Sequence, residues 1–388
     1  MSESKRDFLF FSDDRSGIPT SSMHIADQLA KIGRVFWLNT YTRTPKFSVA
    51  DISKALRILA GRSGKPQDLK HNESDSPITY LTPKSIPWFI PTIRKINGSL
   101  GKRFLNWIFK EYQIQNAILI STFPCTVDAF QRVHSETTQI YYCVDEWSEY
   151  PGLHSARWSQ MEQEMLACVD GAAFTSRDLM QRKCDRVKQS LYLPHGVDFE
   201  HFSGSQRELA PVAEFETLRR PIVGFFGTMD IWVDLECIAV LAKRFPQCSF
   251  VVIGRSLVPL TVLEGINNVH LVGPVPYAEL PRYTKYWDVG LIPFVYNDLT
   301  KAVNPLKLME YFAVGVPVIS TKLPDILDVP GPLYFADDHQ QFGDCLDEVL
   351  SQDRDTLRSN AQDVAKKNSW KSRAESLARF ADSSYKNR

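Results

Sequence analysis

Short runs of β-branched and aromatic residues alternate with stretches of helical period along nearly the whole chain. DFLFF (Asp7–Phe11), RVFWL (Arg34–Leu38), AILIS (Ala117–Ser121), QIYYC (Gln139–Cys143) and GAAFT (Gly171–Thr175) read as strands. So do Ile222–Phe226, Ser249–Ile253, Val269–Val272, Val289–Pro293 and Val316–Ser320. Helix candidates lie between them at Ser22–Ile32, Ser155–Cys168, Leu235–Arg244, Tyr277–Tyr286 and Leu306–Val314. Strand–helix–strand order predicts an α/β protein whose parallel sheets carry helices on both faces. The strands form two groups, separated by the polar segment Asp198–Pro221, which contains no β-run and reads as a linker. Two doubly wound, Rossmann-like domains follow, over 1–203 and 204–368, with ligands expected at the strands' carboxyl ends in a cleft between them. A last helix candidate lies in 369–388 and is placed to cross back to the first domain.

Composition narrows the class. A chain of 388 residues can bury two cores, and 44% apolar with 12% aromatic content is that of a globular protein. Equal numbers of Lys+Arg and Asp+Glu, 45 each, leave no global field for a nucleic acid partner. No apolar run has the length of a membrane span or the core of a signal peptide. Seven cysteines without a CxxC pair argue against a disulfide framework or zinc site, and a reducing cytoplasm is expected.

Neutrality conceals a local excess. Between Tyr41 and Tyr112 there are 13 Lys/Arg against 5 Asp/Glu. Within it, Trp88, Phe89, Phe104, Trp107, Ile108 and Phe109 alternate with Arg94, Lys95, Lys102, Arg103 and Lys110. Residues 84–112 therefore read either as a helix resting on an anionic membrane or as a core helix with a solvated basic face.

Candidate chemistry sits at the strand ends. In VNPLKLMEYFAVGVPVIST (Val303–Thr321), Asn304 or Pro305 opens a helix, with Pro305 suited to its first position, after a loop over 294–304. Lys307 in the first turn opposes the helix dipole unless an anion such as phosphate sits there. Glu310, on the same face, can accept the two hydroxyl hydrogen bonds of a ribose. The plainer alternative is an exposed i,i+3 Lys–Glu pair worth a few tenths, about 0.2–0.5 kcal/mol. Gly227-Thr228 ends one strand and lets backbone approach a phosphate, Arg255 ends the next, and Val275 can border a base.

In the first domain, FSDDRSGIPTSSMHIADQLA offers Gly17, Thr20 and His24 around a loop and helix start. Thr20 or Ser21 is the expected cap, and His24 suits packing or capping better than catalysis. YYCVDEWSEYPG (Tyr141–Gly152) places Asp145 and Glu146 just after a strand, beside Trp147. A carboxylate there is either a general base, its pKa raised by burial, or a cap of the following loop.

TSRDL (175–179), LPHGVDFEHF (193–202), VGFFGTMD (223–230), VVIGR (251–255), HLVGPVPYAELP (270–281) and NPLKLMEYFAVGVPVIST (304–321) together resemble the GT-B glycosyltransferases, particularly the family 4-type bacterial enzymes of surface polysaccharide synthesis. The resemblance implies a nucleoside-diphosphate-sugar donor held by the second domain through Gly227, Thr228, Arg255, Val275, Asn304, Lys307 and Glu310. It implies a saccharide or lipid-linked acceptor held by the first, where Gly17, Thr20 and His24 are the candidates, and no obligatory metal. Glu310 matches the family's ribose-binding glutamate and Lys307 a donor-phosphate contact. The family's Glu-x7-Glu pattern has Ala302 at its first position here, and Gly227-Thr228-Met229 replaces its Gly-Arg…Lys pair. Asp145 matches the aspartate base of some inverting relatives, with Glu146 its neighbouring alternative. A GT-B sugar-nucleotide epimerase and a non-catalytic sugar-nucleotide-binding subunit of an assembly complex are the competing readings.

Overall fold

A computed structural model of the chain describes residues 6–13, 19–40, 77–86, 88–131, 137–150, 152–204 and 212–386. The chain divides into two compact units, 1–194 with 373–388, and 195–372. Each is built on one parallel sheet.

In the first unit the strands are β1 (Arg6–Ser12), β2 (Gly33–Asn39), β3 (Ile78–Leu81), β4 (Ala117–Ser121), β5 (Thr138–Cys143), β6 (Gly171–Phe174) and β7 (Ser190–Tyr192). Their spatial order is β3-β2-β1-β4-β5-β6-β7. FLFF, AILIS, TQIYYC and GAAF are buried throughout, as strands covered on both faces require. The second unit carries β8 (Ile222–Phe226), β9 (Ser249–Ile253), β10 (Val269–Gly273), β11 (Val289–Ile292), β12 (Val318–Thr321) and β13 (Leu333–Ala336), ordered β10-β9-β8-β11-β12-β13. Each sheet winds outward in two directions from a central pair, β1/β4 and β8/β11. At such a reversal the flanking loops part and leave a crevice beyond the strand ends. The predicted doubly wound architecture is the one found.

Seven helices matter below: α1 (Ser21–Leu29), α2 (Pro91–Glu111), α3 (Ser155–Cys168), α4 (Arg177–Lys183), α5 (Leu235–Arg244), α6 (Leu306–Val314) and α7 (Trp370–Lys386). The C-terminal part of α7 packs in the first unit. A Cβ on Gly171 would meet the Phe380 ring at 2.7 Å, and Arg6 pairs with Asp382.

Local details depart from the sequence reading. Asp198–Pro221 contains two helical turns, Phe199–Gly204 and Ala213–Glu216, pinned by buried Phe202 and Phe215. The expected loop 294–304 holds a turn at Asp298–Lys301 closed by an Asn297–Thr300 capping box. Tyr277–Tyr286 splits into a 3-10 turn and a short helix, because Pro281 lacks the N–H that a continuous helix needs. Pro317, for the same reason, delays β12 to Val318. Pro305 stands at the N-cap of α6 rather than at its first helical position.

Helix α2 turns its bulky residues inward. Phe104, Leu105 and Ile108 are buried, and Trp107 stacks on Phe104 at 5.9 Å. Lys95, Lys102, Arg103 and Lys110 are exposed. Arg94 is the exception, tied to Asp128 and Glu164.

Candidate functional site

In the second unit the chemistry gathers over the carboxyl end of β8. Helix α6 is fixed there by Tyr311, whose hydroxyl accepts the Phe226 N–H at 3.1 Å. Its ring fills the space that Gly290 of β11 leaves open, where a Cβ would come within 2.6 Å of Tyr311 Cδ2. Lys307 lies one turn before Tyr311 on the same helix face and is thereby placed over the strand end. Its ammonium sits 5.8 Å from the Phe225 ring centroid and 5.5 Å from that of Phe294.

The floor beneath Lys307 is bare backbone. Gly227 has φ +142°, and a Cβ on it would lie 2.7 Å from Lys307 Nζ. Gly254, also at φ +142°, follows β9, and a Cβ there would run into the Gly227 carbonyl. The Gly227 N–H donates to the Ile253 carbonyl at 2.9 Å, and the Gly254 N–H to that of Gly273 at 2.8 Å. Three strand ends are thus stitched together without side chains, as close approach of a ligand's oxygens demands. The first turn of α6 has no side-chain cap and no acidic residue. Its unpaired N–H groups and the positive end of the dipole therefore lie at the same helix end as Lys307.

Burial makes this pair of charges costly. It lowers the pKa of Lys307, and the charge of Glu310 only partly offsets it. It pushes the Glu310 carboxyl up to about 7, against the pull of Lys307. Glu310 is 8% exposed, and among the described residues no donor reaches its carboxylate. A desolvated acceptor without donors is a site for hydroxyl groups. The Tyr277 phenol feels the Glu310 charge, and its ring stacks on His201 at 4.7 Å.

The other expected donor-side residues are dispersed. Arg255 is exposed beyond β9, with its carbonyl accepting the Met229 N–H; Thr228 and Val275 are half-buried on neighbouring loops. Asn304 is engaged within the fold: its Oδ1 accepts the His195 N–H at 3.1 Å and its Nδ2 donates to buried Asp325. Ala302 is buried, 1% exposed.

In the first unit, Asp145 and Glu146 follow β5 and part company at once. Burial pushes Asp145 up to about 7, with Lys183 lowering it and Glu146 raising it. Glu146 is held below the usual range although burial opposes this, because Lys183, Ser148 and Arg182 all favour its charge. Trp147 fixes the loop, its Nε1–H donating to the Thr122 carbonyl at 3.1 Å, and packs on Phe123 at 4.7 Å. Thr20 occupies the N-cap of α1, but its buried hydroxyl makes no cap bond, so the expected side-chain cap is absent. His24 is half-buried in the first turn, its N–H on the Thr20 carbonyl at 3.1 Å. Gly17 lies outside the described residues. A groove opens beside α2, lined in part by Phe11 of β1, Thr40 after β2, Phe89, Phe104 and Thr126.

Sequence reasoning placed Gly254 at the strand end before Arg255 but overlooked Lys183, Glu162 and Tyr277. Lys183 shares a helix face with buried Leu179, four residues before it, but nothing local marks it as buried itself. Among the described residues no cluster of three or more His, Cys, Asp or Glu is placed to hold a metal.

Residues 220–352 match the family model described as "Glycosyl transferases group 1". Over 253 residues the chain is 26% identical to TuaH of Bacillus subtilis (strain 168), whose name assigns it, provisionally, as a glycosyltransferase of teichuronic acid biosynthesis. That alignment covers 60% of this chain and 63% of the relative's length. Solved structures extend the likeness of fold to nearly the whole chain. Sucrose-phosphate synthase from Thermosynechococcus elongatus superimposes with a TM-score of 0.71 at 14% identity, covering 99% of this chain and 100% of that one. Anabaena HepE in complex with UDP does so with a TM-score of 0.67 at 14% identity, covering 98% and 100%.

Proposed function

We propose that this chain, which belongs to the group 1 glycosyl transferases and has the GT-B fold, moves a sugar from a nucleoside-diphosphate sugar to a saccharide acceptor. The observation that carries the reading is the placement of Lys307 above the bare Gly227 backbone, at the uncapped start of α6. Transfer leaves a nucleoside diphosphate, and the charge that develops on it needs preorganised positive groups. Lys307 and the first-turn amides of α6 supply them. Glu310, buried and with no donor among the described residues, takes the ribose hydroxyls. HepE was solved with UDP, so a uridine nucleotide is the first donor to try.

Asp145 is the base of this proposal. A carboxyl held near neutrality by burial can accept the acceptor's hydroxyl proton as the glycosidic bond forms. Glu146, ionised and committed to two cations, is unsuited to that exchange. The likeness to TuaH supports an acceptor in surface polysaccharide synthesis, lipid-linked in the version proposed, reached from the cytoplasmic side of the membrane. The exposed basic residues of α2 support a peripheral, electrostatic contact there. No described helix is long and apolar enough to cross a membrane.

The test is a thermal-shift screen over nucleotide sugars, followed by transfer from any donor that stabilises the protein. A stabilising donor whose diphosphate is released only with acceptor present supports transfer. Interconversion of the donor's sugar without an acceptor would make the protein an epimerase, and binding without turnover a non-catalytic subunit.

A further inference from the structure

The loop carrying Asp145 is fastened by a buried ionic network that packing alone does not require. Lys183, at the end of α4, places its Nζ 2.8 Å from Glu162 Oε2 of α3 and 3.0 Å from Glu146 Oε2 of the loop. Arg182 Nη1 reaches the same Glu146 oxygen at 3.1 Å, and Ser148 Oγ donates to its other oxygen at 2.7 Å. Tyr141 of β5 donates its hydroxyl to Glu162 Oε1 at 2.8 Å. Lys183, Glu146 and Glu162 are 5%, 4% and 6% exposed. One helix (α3), one strand (β5, through Cys143 Sγ at 3.9 Å) and the loop after it therefore meet on a single ammonium.

Such a network is poor economy for a fold. Apolar side chains of similar volume are often as stabilising as a buried ion pair, whereas removing one partner strands the other's charge. Its location suggests its use. Asp145 is the residue before Glu146, and among the described residues no donor or cation contacts its carboxylate directly.

We propose that Lys183 is the positioning residue for Asp145: gripped by Glu162 and Glu146, it holds the loop in place and sets the balance of buried charge that Asp145 faces. The proposal rests on Asp145 as the base, and its test separates the two claims. The groups facing Asp145 are Lys183 from α4, Glu146 from its own loop and Tyr142 from β5, whose phenol also feels Arg373 of α7. Lys183 is itself kept protonated, although burial opposes this, by the carboxylates of Glu162 and Glu146. Lys183 favours the ionised form of Asp145 and Glu146 disfavours it. The two halves of the pair thus act on Asp145 with opposite sign.

That opposition is measurable without substrate. Full-length protein labelled with carboxyl-¹³C aspartate is titrated by NMR, the Asp145 signal being identified by its loss in Asp145→Asn. The wild-type signal should titrate near 7. Lys183→Met should move the midpoint up and Glu146→Gln should move it down, each by on the order of one pH unit. Lys183→Arg, which keeps the charge, should leave it in place. Loosening of the loop alone would shift both neutralising variants the same way. Midpoints that move together, or not at all, in folded protein overturn the proposal. Should Lys183→Met fail to fold, the downward shift in Glu146→Gln and the constancy in Lys183→Arg carry the same decision. Turnover is read separately: full activity in Asp145→Asn would remove the base and leave the coupling standing.

Discussion

The ammonium of Lys307 occupies the space that a side chain on Gly227 would need, 2.7 Å from the position of its missing Cβ. Glycine at 227 and lysine at 307 are therefore one feature, a cation lowered onto backbone. Gly227→Ala should displace the lysine and also strain a backbone held at φ +142°. Lys307→Ala should cost about 1.5–3 kcal/mol of UDP affinity while leaving uridine affinity nearly unchanged, since only the diphosphate meets the charge. Calorimetry with both ligands checks this; equal losses would remove Lys307 from the phosphates. Gly227→Ala should show the same selectivity with added loss of thermal stability.

Glu310 predicts a pH dependence of nucleoside binding. Its carboxyl is raised to about 7, so in the unliganded protein it gains a proton as pH falls through that value. Only the ionised form accepts two hydroxyl hydrogen bonds. Uridine affinity should therefore rise from mildly acid to mildly alkaline pH, with proton release on binding near neutrality. Uridine is the right probe because it lacks phosphates that titrate in the same range. Glu310→Gln should flatten the profile and weaken binding. For stability the sign is reversed. A carboxyl whose folded pKa exceeds its unfolded value opposes folding once ionised, so the unliganded protein should lose stability as pH rises from about 4.5 toward 7. Glu310→Gln should remove that loss.

The two sheets were readable because buried parallel strands are continuous apolar runs; FLFF, AILI and FVVI have no other easy interpretation. The short edge strands were not. Ser190–Tyr192 and Ile78–Leu81 span three and four residues and are only partly buried, so pattern gives way to pairing with a neighbour. Lys307 and Glu310 were legible because a lysine in a helix's first turn contradicts local electrostatics. Asn304 was readable only in part: its tie to His195 joins residues 109 apart, which no local pattern reports. Lys183 was hidden for the same reason, its partners Glu146 and Glu162 arriving from other elements.

Basic, exposed Lys102, Arg103 and Lys110 and inward-facing Phe104 and Ile108 make any membrane contact of α2 electrostatic. Co-sedimentation with vesicles containing anionic lipid should fall steeply with added salt. Replacing the three basic residues with Gln should remove about 1 kcal/mol each. Binding that persists in high salt, or that ignores the triple substitution, would return α2 to a purely structural role.

The base hypothesis makes the sharpest demand on activity. Asp145 carries a carboxyl raised to about 7 by burial, so it is protonated and idle below that pH and ionised above it. Transfer measured as kcat/KM should rise with pH through about 7 and then level, unless another group titrates. Asp145→Asn should lower turnover by about 10²–10⁴-fold with UDP affinity unchanged, because the base acts only on the acceptor. Glu146→Gln should act differently: it removes a like charge, so the rising limb should move to lower pH rather than vanish. If Glu146→Gln abolishes turnover with Asp145→Asn active, the roles of the neighbours are exchanged. The product's anomeric configuration, read from its proton coupling, gives an independent check. A single displacement assisted by Asp145 inverts the donor's anomeric centre, and a retained configuration would rule that step out.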